Sequence, residues 1–213
     1  MSPATECLAG AAALSAAAAI ACDWRERRRA FYLLKPLTTA LVIALAIMSA
    51  SRLSLYAQLV IAALVLCMLG DVALMWDSDR AFIAGLSSFL LAHLLFAAAF
   101  GHGLPQLAPG HYALAGLVFG AAGLALLMPR AGKLRLPVFA YVLVLLAMWL
   151  AADARFSQLA DPPSALALIG ATVFIASDSL LAWNKFLRPL PLAQPLILGT
   201  YYPAILLIAL SAG

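Results

Sequence analysis

Long apolar stretches separated by short polar breaks run along the whole chain. Each stretch approaches the ~20 residues that a helix needs to cross a hydrocarbon core about 30 Å thick. No stretch alternates polar and apolar residues as the strand of a membrane barrel does. The pattern therefore predicts an all-α, polytopic transmembrane helix bundle. Its eight predicted transmembrane helices are Cys7–Cys22, Phe31–Ala50, Leu53–Trp76, Ala81–Gly101, Tyr112–Met128, Leu136–Ala152, Ala165–Trp183 and Leu192–Ala212.

The composition excludes a water-soluble protein. Of the 213 residues, 66% are hydrophobic and only 10% are charged, and the mean hydropathy is +1.03. A soluble domain carries about 25% charged residues and about half apolar residues. The apolar stretches leave almost no sequence for a soluble domain, so we expect residues 1–213 to form a single transmembrane domain.

The basic residues predict the topology. Eleven of the 13 lie near the breaks after the first, third, fifth and seventh stretches, and the other two are Arg52 and Arg155. The positive-inside rule then places both termini outside. The first stretch follows Glu6 and precedes an arginine cluster, so we expect a transmembrane helix rather than a cleaved signal peptide. We expect an integral protein of a bacterial inner (plasma) membrane.

Two aspartates, Asp71 and Asp178, lie inside apolar stretches. A carboxylate at the centre of a spanning helix costs about 2.5–3.5 kcal/mol, and such residues usually face the bundle interior and mark a site. Both lie toward the cytoplasmic ends of their helices, at similar depth. If they share a pocket, one serves as general acid and the other as general base. The alternatives are a hydrogen bond between helices that fixes their packing, or a partly hydrated acid at a helix end.

Other polar side chains also lie within or beside the apolar stretches. Lys35 precedes Pro36 at the cytoplasmic edge, where it serves as a snorkelling anchor, a cation for a lipid phosphate or a partner for an aspartate. His93 continues a helical stripe of apolar residues. It either forms a hydrogen bond inside the bundle or belongs to a functional site. Three tyrosines either pack inside the bundle or belong to a functional site: Tyr141, Tyr201 and Tyr202.

Several kinds of site are missing from the sequence pattern. The three histidines and three cysteines show no metal-ligand spacing, and no phosphate-binding glycine loop or nucleophile elbow is present. We therefore expect no metal, no cofactor and no nucleic acid partner. Gly116 and Gly120 form a close-packing face, which the sequence leaves as either an internal helix contact or a dimer contact.

An ordered set of short motifs resembles one family, the YhhN-type lysoplasmalogenases, which are polytopic membrane proteins. The resemblance runs from about Leu33 to about Leu210. The motifs are Lys35-Pro36, Gly70-Asp71-x-x-Leu74-Met75, Phe82-x-x-Gly85-x-x-x-Phe89-x-x-x-His93, Tyr141, Ser177-Asp178-x-x-Leu181 and Thr200-Tyr201-Tyr202.

The resemblance implies hydrolysis of the vinyl ether bond of a lysoplasmalogen, either lysoplasmenyl-ethanolamine or lysoplasmenyl-choline. The products are a fatty aldehyde and a glycerophospho-base. It assigns catalysis to Asp71 and Asp178, because an acid protonates the vinyl ether and a carboxylate stabilises the resulting cation. The expected substrate-binding residues are Lys35, His93, Tyr141, Ser177, Tyr201 and Tyr202.

Other functions are compatible with the same residues. Intramembrane Asp and His also build the proton relays of membrane transporters, and a proton-coupled transporter is the main alternative. An intramembrane aspartyl protease also uses two aspartates, but Met68 occupies the place of the first glycine in the Gly-x-Gly-Asp signature of those enzymes. A non-catalytic scaffold is the remaining alternative. An active site requires both carboxyl groups in one lipid-accessible pocket, whereas a transporter requires access from both membrane faces.

Overall fold

The fold is a helical bundle. We analysed a computed structural model that describes residues 2–50, 54–106 and 108–213. Within these ranges there are eight α-helices and no strand. The helices are α1 (Pro3–Trp24), α2 (Arg28–Ser49), α3 (Leu55–Ala73), α4 (Asp79–Gly101), α5 (Ala113–Leu127), α6 (Arg135–Leu159), α7 (Pro162–Ala182) and α8 (Ala193–Leu210). A 3₁₀ turn (Gly132–Leu134) precedes α6, and a π-helical turn (Trp183–Leu187) extends α7.

The prediction of a polytopic helix bundle is confirmed. Seven of the eight helices in the described ranges are long and apolar enough to cross a membrane, while α5 has only 15 residues. Side chains on several helices face outward, where lipid would lie. Leu14, Leu33, Leu114 and Leu136 are each 73–76% exposed. Leucines exposed at this level on many helices form a surface suited to lipid rather than water, so this is an integral membrane protein.

The helix ends follow local capping rules. The predicted first and sixth helices are each extended by several residues. α1 begins at Pro3 because the Ser2 side chain accepts a hydrogen bond from the backbone N–H of Thr5. α6 continues to Leu159, since its last turns carry polar residues that reach the loop beyond α4. The predicted start of the third helix at Leu53 and the charge of Arg52 lie outside the described residues.

Helix pairs that are adjacent in sequence pack together. α1 contacts α2, α3 contacts α4, and α7 contacts α8, while α2 and α8 also meet across the bundle. One cluster of buried side chains runs through these helices and α6. α5 packs on α6 through its two small residues: a Cβ atom at Gly116 would clash with the Trp149 ring, and one at Gly120 would lie 2.9 Å from Leu146. In the structure, this glycine face lies against α6.

Candidate active site

A cavity of about 810 Å³ opens at one end of the bundle and contains both aspartates. We call it the polar cavity. Asp71 at the end of α3 and Asp178 near the end of α7 both line it, together with Lys35 of α2 and Tyr201 of α8. The two intramembrane carboxyl groups that the sequence singles out thus line one shared cavity. Helices that are distant in sequence form this cavity, and its two aspartates are 107 positions apart.

Asp71 is surrounded by donors. It is only 2% exposed. The Thr39 hydroxyl donates a hydrogen bond of 2.8 Å to its Oδ2, and the Tyr201 hydroxyl donates one of 2.7 Å to the same atom. The Nζ of Lys35 lies 3.5 Å from Oδ1. A buried carboxylate needs such compensation, and here a cation and two hydroxyl groups provide it.

α2 presents Lys35 and Thr39 to Asp71 from the same face. The two residues are four positions apart, so they lie one above the other on the helix. The Lys35 side chain is 4% exposed and points to an aspartate instead of extending to the surface. Thr39 is a site residue that the sequence analysis missed. The i, i+4 spacing from Lys35 is the signal that would have identified it.

Asp178 has a different environment. The Tyr141 hydroxyl of α6 donates a hydrogen bond of 2.8 Å to its Oδ2. The Nε2 of His93 on α4 lies 3.7 Å from the same oxygen, which is too long for a hydrogen bond. No Lys or Arg of the described ranges forms an ion pair with Asp178. The two aspartates therefore differ in charge environment, with a cation at Asp71 and a neutral phenol at Asp178.

Aromatic rings pack between the two aspartate groups. The Phe174 ring lies 4.7 Å from the His93 ring and 5.6 Å from the Tyr201 ring, centroid to centroid. Phe89 contacts both Phe174 and Tyr201. Phe89 approaches α3 closely because residue 70 is glycine, where a Cβ atom would lie 2.7 Å from the ring. This contact explains why a glycine precedes Asp71.

Three predicted site residues make no hydrogen bond to either aspartate. Ser177 lines the polar cavity, but its hydroxyl donates a hydrogen bond of 3.1 Å to the carbonyl of Ile197 on α8. Tyr202 is buried against the Tyr201 ring and is absent from the described lining of the cavity. His93 is fully buried and reaches Asp178 from behind the cavity wall.

The mouth of the polar cavity carries charges of both signs. The sequence analysis had assigned its basic residues only to topology and had not singled out its acidic residues. These charged residues come from the helix ends that meet the loops after α1, α3 and α7. They include Arg28, Lys185, Asp23, Asp77 and Asp79. Lys185 also lies over the Phe82 ring, 4.4 Å from its centroid. In the described part of the chain, no group of three His, Cys, Asp or Glu side chains is arranged to hold a metal ion.

The fold and the site define a polytopic membrane protein with an open polar cavity, lined by two intramembrane aspartates, at one end of its bundle. The chain belongs to the YhhN family, whose sequence profile matches residues 30–212. This match confirms the resemblance drawn from the ordered motifs, and it covers both aspartates and every predicted substrate-binding residue.

The curated relatives come from animals and bacteria. The chain is 41% identical over 157 residues to lysoplasmalogenase TMEM86B of Homo sapiens, an alignment that covers 74% of this chain and 64% of the relative. It is 38% identical over 161 residues to lysoplasmalogenase TMEM86A of Homo sapiens, covering 70% of this chain and 62% of the relative.

The alignment with a bacterial relative is shorter. The lysoplasmalogenase of Mycobacterium tuberculosis is 37% identical over 133 residues, covering 59% of this chain and 49% of the relative. The chain thus spans less than two thirds of the length of each of these relatives. No solved structure matches the chain significantly.

Proposed function

We propose that this protein is a membrane-embedded hydrolase that cleaves the vinyl ether bond of lysoplasmalogens. The relatives named lysoplasmalogenase support this assignment. The observation that carries it is the shared cavity of Asp71 and Asp178 with unlike surroundings. Carboxyl groups in one pocket with different environments are the usual arrangement for a proton-transferring acid beside an ionised carboxylate. The products are a fatty aldehyde and a glycerophospho-base, and residues 1–213 act as one transmembrane domain.

Asp178 is the general acid in this proposal. Its carboxylic acid transfers a proton to the β-carbon of the vinyl ether, so the double bond is consumed and an oxocarbenium ion forms at the carbon bonded to oxygen. The resulting Asp178 carboxylate stabilises this cation and then takes a proton from the attacking water, as the acid of a retaining glycosidase does. The hemiacetal collapses to the aldehyde and the glycerol hydroxyl. Tyr141 orients the carboxyl group through its hydrogen bond.

Asp71 is the ionised partner. The ammonium group of Lys35 and the two hydroxyl donors favour its carboxylate form. A fixed negative charge on the cavity wall favours the cationic transition state over the neutral substrate. Lys35 lines the cavity too, so it lies within the same space as the phosphate of the substrate headgroup. Arg28 and Lys185 add two further cations at the cavity mouth.

The polar cavity faces the cytoplasm in this proposal, and both termini lie outside. Its mouth is built at the helix ends that adjoin the loops after α1, α3 and α7, and these loops carry much of the positive charge of the chain. The lipid enters from the inner leaflet of a bacterial plasma membrane with its headgroup toward water.

The test is aldehyde release by the purified protein in detergent. Lysoplasmenyl-ethanolamine is compared with its saturated ether analogue, which has no double bond to protonate. We expect release from the vinyl ether alone and a loss of at least about a hundredfold, or about 2.7 kcal/mol, in Asp178→Asn. Asp161→Asn is the matched control, since Asp161 caps α7 at its opposite end. Equal release from both lipids, or full activity of Asp178→Asn, would contradict the proposal.

A further inference from the structure

A second cavity lies beside the first. It has a volume of about 330 Å³ and runs between α4, α5, α6 and α7. We call it the apolar groove, because apolar side chains form nearly all of its wall. Its few polar groups include Tyr141, Asp178 and Lys185. The hydroxyl of Ser179, which also lines the groove, donates to the carbonyl of Ile175 in its own helix.

The groove and the polar cavity meet at the same aspartate. Four residues line both spaces: Phe82, Asp178, Leu181 and Lys185. Asp71, by contrast, lines only the polar cavity among the described residues. The two spaces therefore adjoin at the ends of α4 and α7. Asp178 is the catalytic candidate that faces polar surroundings on one side and apolar surroundings on the other.

We infer that the apolar groove binds the aliphatic chain of the lipid substrate and selects it by length. This inference rests on the proposed function. In a lysoplasmalogen, the vinyl ether is the junction between a polar glycerophospho-base and a single unbranched hydrocarbon chain. A substrate whose headgroup occupies the polar cavity and whose chain occupies the groove has that junction at Asp178.

The groove selects the chain through its shape. A lipid that leaves the bilayer exchanges one apolar environment for another, because lipid tails are as apolar as leucine side chains. The hydrophobic effect then gives little preference for the groove. Close packing decides the fit, and a chain too long for the groove must force side chains apart. A change in groove volume should therefore change the preferred chain length.

A substitution at Gly123 is the most direct way to change the volume of the groove. It lines the groove, and a Cβ atom added there would meet nothing within 4 Å. Its neighbour Gly120 is unsuitable, because a Cβ atom there would lie 2.9 Å from Leu146 on α6. Gly123→Leu thus places a side chain in the groove without pushing α5 from α6. Gly10→Leu on α1 is the matched control, since Gly10 also has open space and lies away from the described groove.

The experiment measures kcat/KM for lysoplasmenyl lipids that differ only in alkenyl chain length. For Gly123→Leu we expect the ratio of long-chain to short-chain kcat/KM to fall about tenfold, and for Gly10→Leu we expect no change. Gly123→Phe, which fills more of the groove, should enlarge the shift. An unchanged ratio in folded Gly123→Leu and Gly123→Phe, with an active wild-type protein, would overturn the groove assignment and leave the proposed function intact.

A binding measurement decides the point without turnover. A saturated lyso-ether with a photoreactive diazirine at the chain end should label the groove walls of α5 and α6, and excess unlabelled lyso-ether should remove the label. Label confined to outward residues such as Leu114 would overturn the inference. If the wild-type protein releases no aldehyde from any lipid of the panel, the proposed hydrolase function fails, while the labelling pattern still tests the groove.

Discussion

Tyr141 donates its hydroxyl hydrogen to Asp178 across the interface between α6 and α7. The phenol ring also stands at right angles to the His93 ring, 5.4 Å away. One tyrosine thus links the candidate acid to the buried histidine and forms part of the groove wall. Its hydrogen bond holds the Asp178 carboxyl group at the edge of the apolar groove.

Tyr141→Phe removes this hydrogen bond and keeps the ring. We expect kcat to fall about tenfold to a hundredfold, since hydrogen bonds to charged groups contribute about 1.5–3 kcal/mol. Steady-state kinetics in detergent measure the effect. Tyr56→Phe is the control, because the Tyr56 hydroxyl is hydrogen-bonded to Ser211 outside both described cavities. A similar loss of turnover in both variants would show that Tyr141 acts only through stability.

Lys35 and Asp71 form a buried pair whose members stabilise each other. Lys35→Met leaves the Asp71 carboxylate without its cation, and we expect a loss of about 3 kcal/mol in the free energy of unfolding. Lys35→Met combined with Asp71→Asn should recover much of that loss, because no unpaired charge remains. Denaturant unfolding in micelles compares the two single variants with the double variant. Additive losses would contradict a direct interaction.

Asp161 caps α7 outside the membrane-spanning segments. Its side chain accepts a hydrogen bond of 2.8 Å from the backbone N–H of Ser164. Asp161→Ala should destabilise the protein by about 1 kcal/mol, whereas Asp161→Asn keeps an acceptor and should lose much less. Thermal unfolding measures both, and equal losses would exclude the cap as the cause.

The same cap predicts a pH dependence. Hydrogen bonding to Ser164, through its side chain and its backbone N–H, lowers the pKa of Asp161 below its usual value. A lowered pKa in the folded state means that the ionised form stabilises the fold. The stability of the wild-type protein relative to Asp161→Asn is therefore complete above the ordinary aspartate pKa. It declines as the pH falls through the lowered value, which pH-dependent unfolding can follow.

Reporter fusions test the proposed topology. Fusions after Arg29, Gly103, Lys133 and Gly213 should report inside, outside, inside and outside, because the proposed topology places the basic loops in the cytoplasm. Paired alkaline phosphatase and fluorescent protein reporters provide the measurement. A cytoplasmic signal from the fusion after Gly213 would contradict the eight-crossing arrangement.

The sequence predicted the helices well because an apolar stretch of membrane-spanning length has few other stable structures. It also singled out Asp71 and Asp178, since a carboxyl group is costly in an apolar segment. It left Lys35 with three possible roles, because choosing between them requires the distance to Asp71. That contact joins two helices and depends on how the bundle packs.

Other parts of the site depend on tertiary structure still more strongly. The hydroxyl of Ser177 is occupied by the carbonyl of Ile197 on α8, and no pattern within α7 indicates this. The charged residues of the cavity mouth, such as Asp79 and Lys185, are ordinary residues of helix ends in the sequence. Only the arrangement of those ends around one space gives them a common role. Thr39 is the exception, since its spacing from Lys35 was visible.

The length of α5 has a consequence for the choice of bilayer. Its 15 residues span roughly 22 Å at 1.5 Å per residue, several ångströms less than a typical hydrocarbon core. A crossing α5 therefore creates negative hydrophobic mismatch, which the surrounding lipids relieve by thinning at a cost of fractions of a kcal/mol per Å. The thinned ring of lipid around α5 would adjoin the apolar groove. Under the proposed function, membrane thickness, set by the acyl composition of the host lipids, would act on the wall of the apolar groove, where we infer that the substrate chain binds.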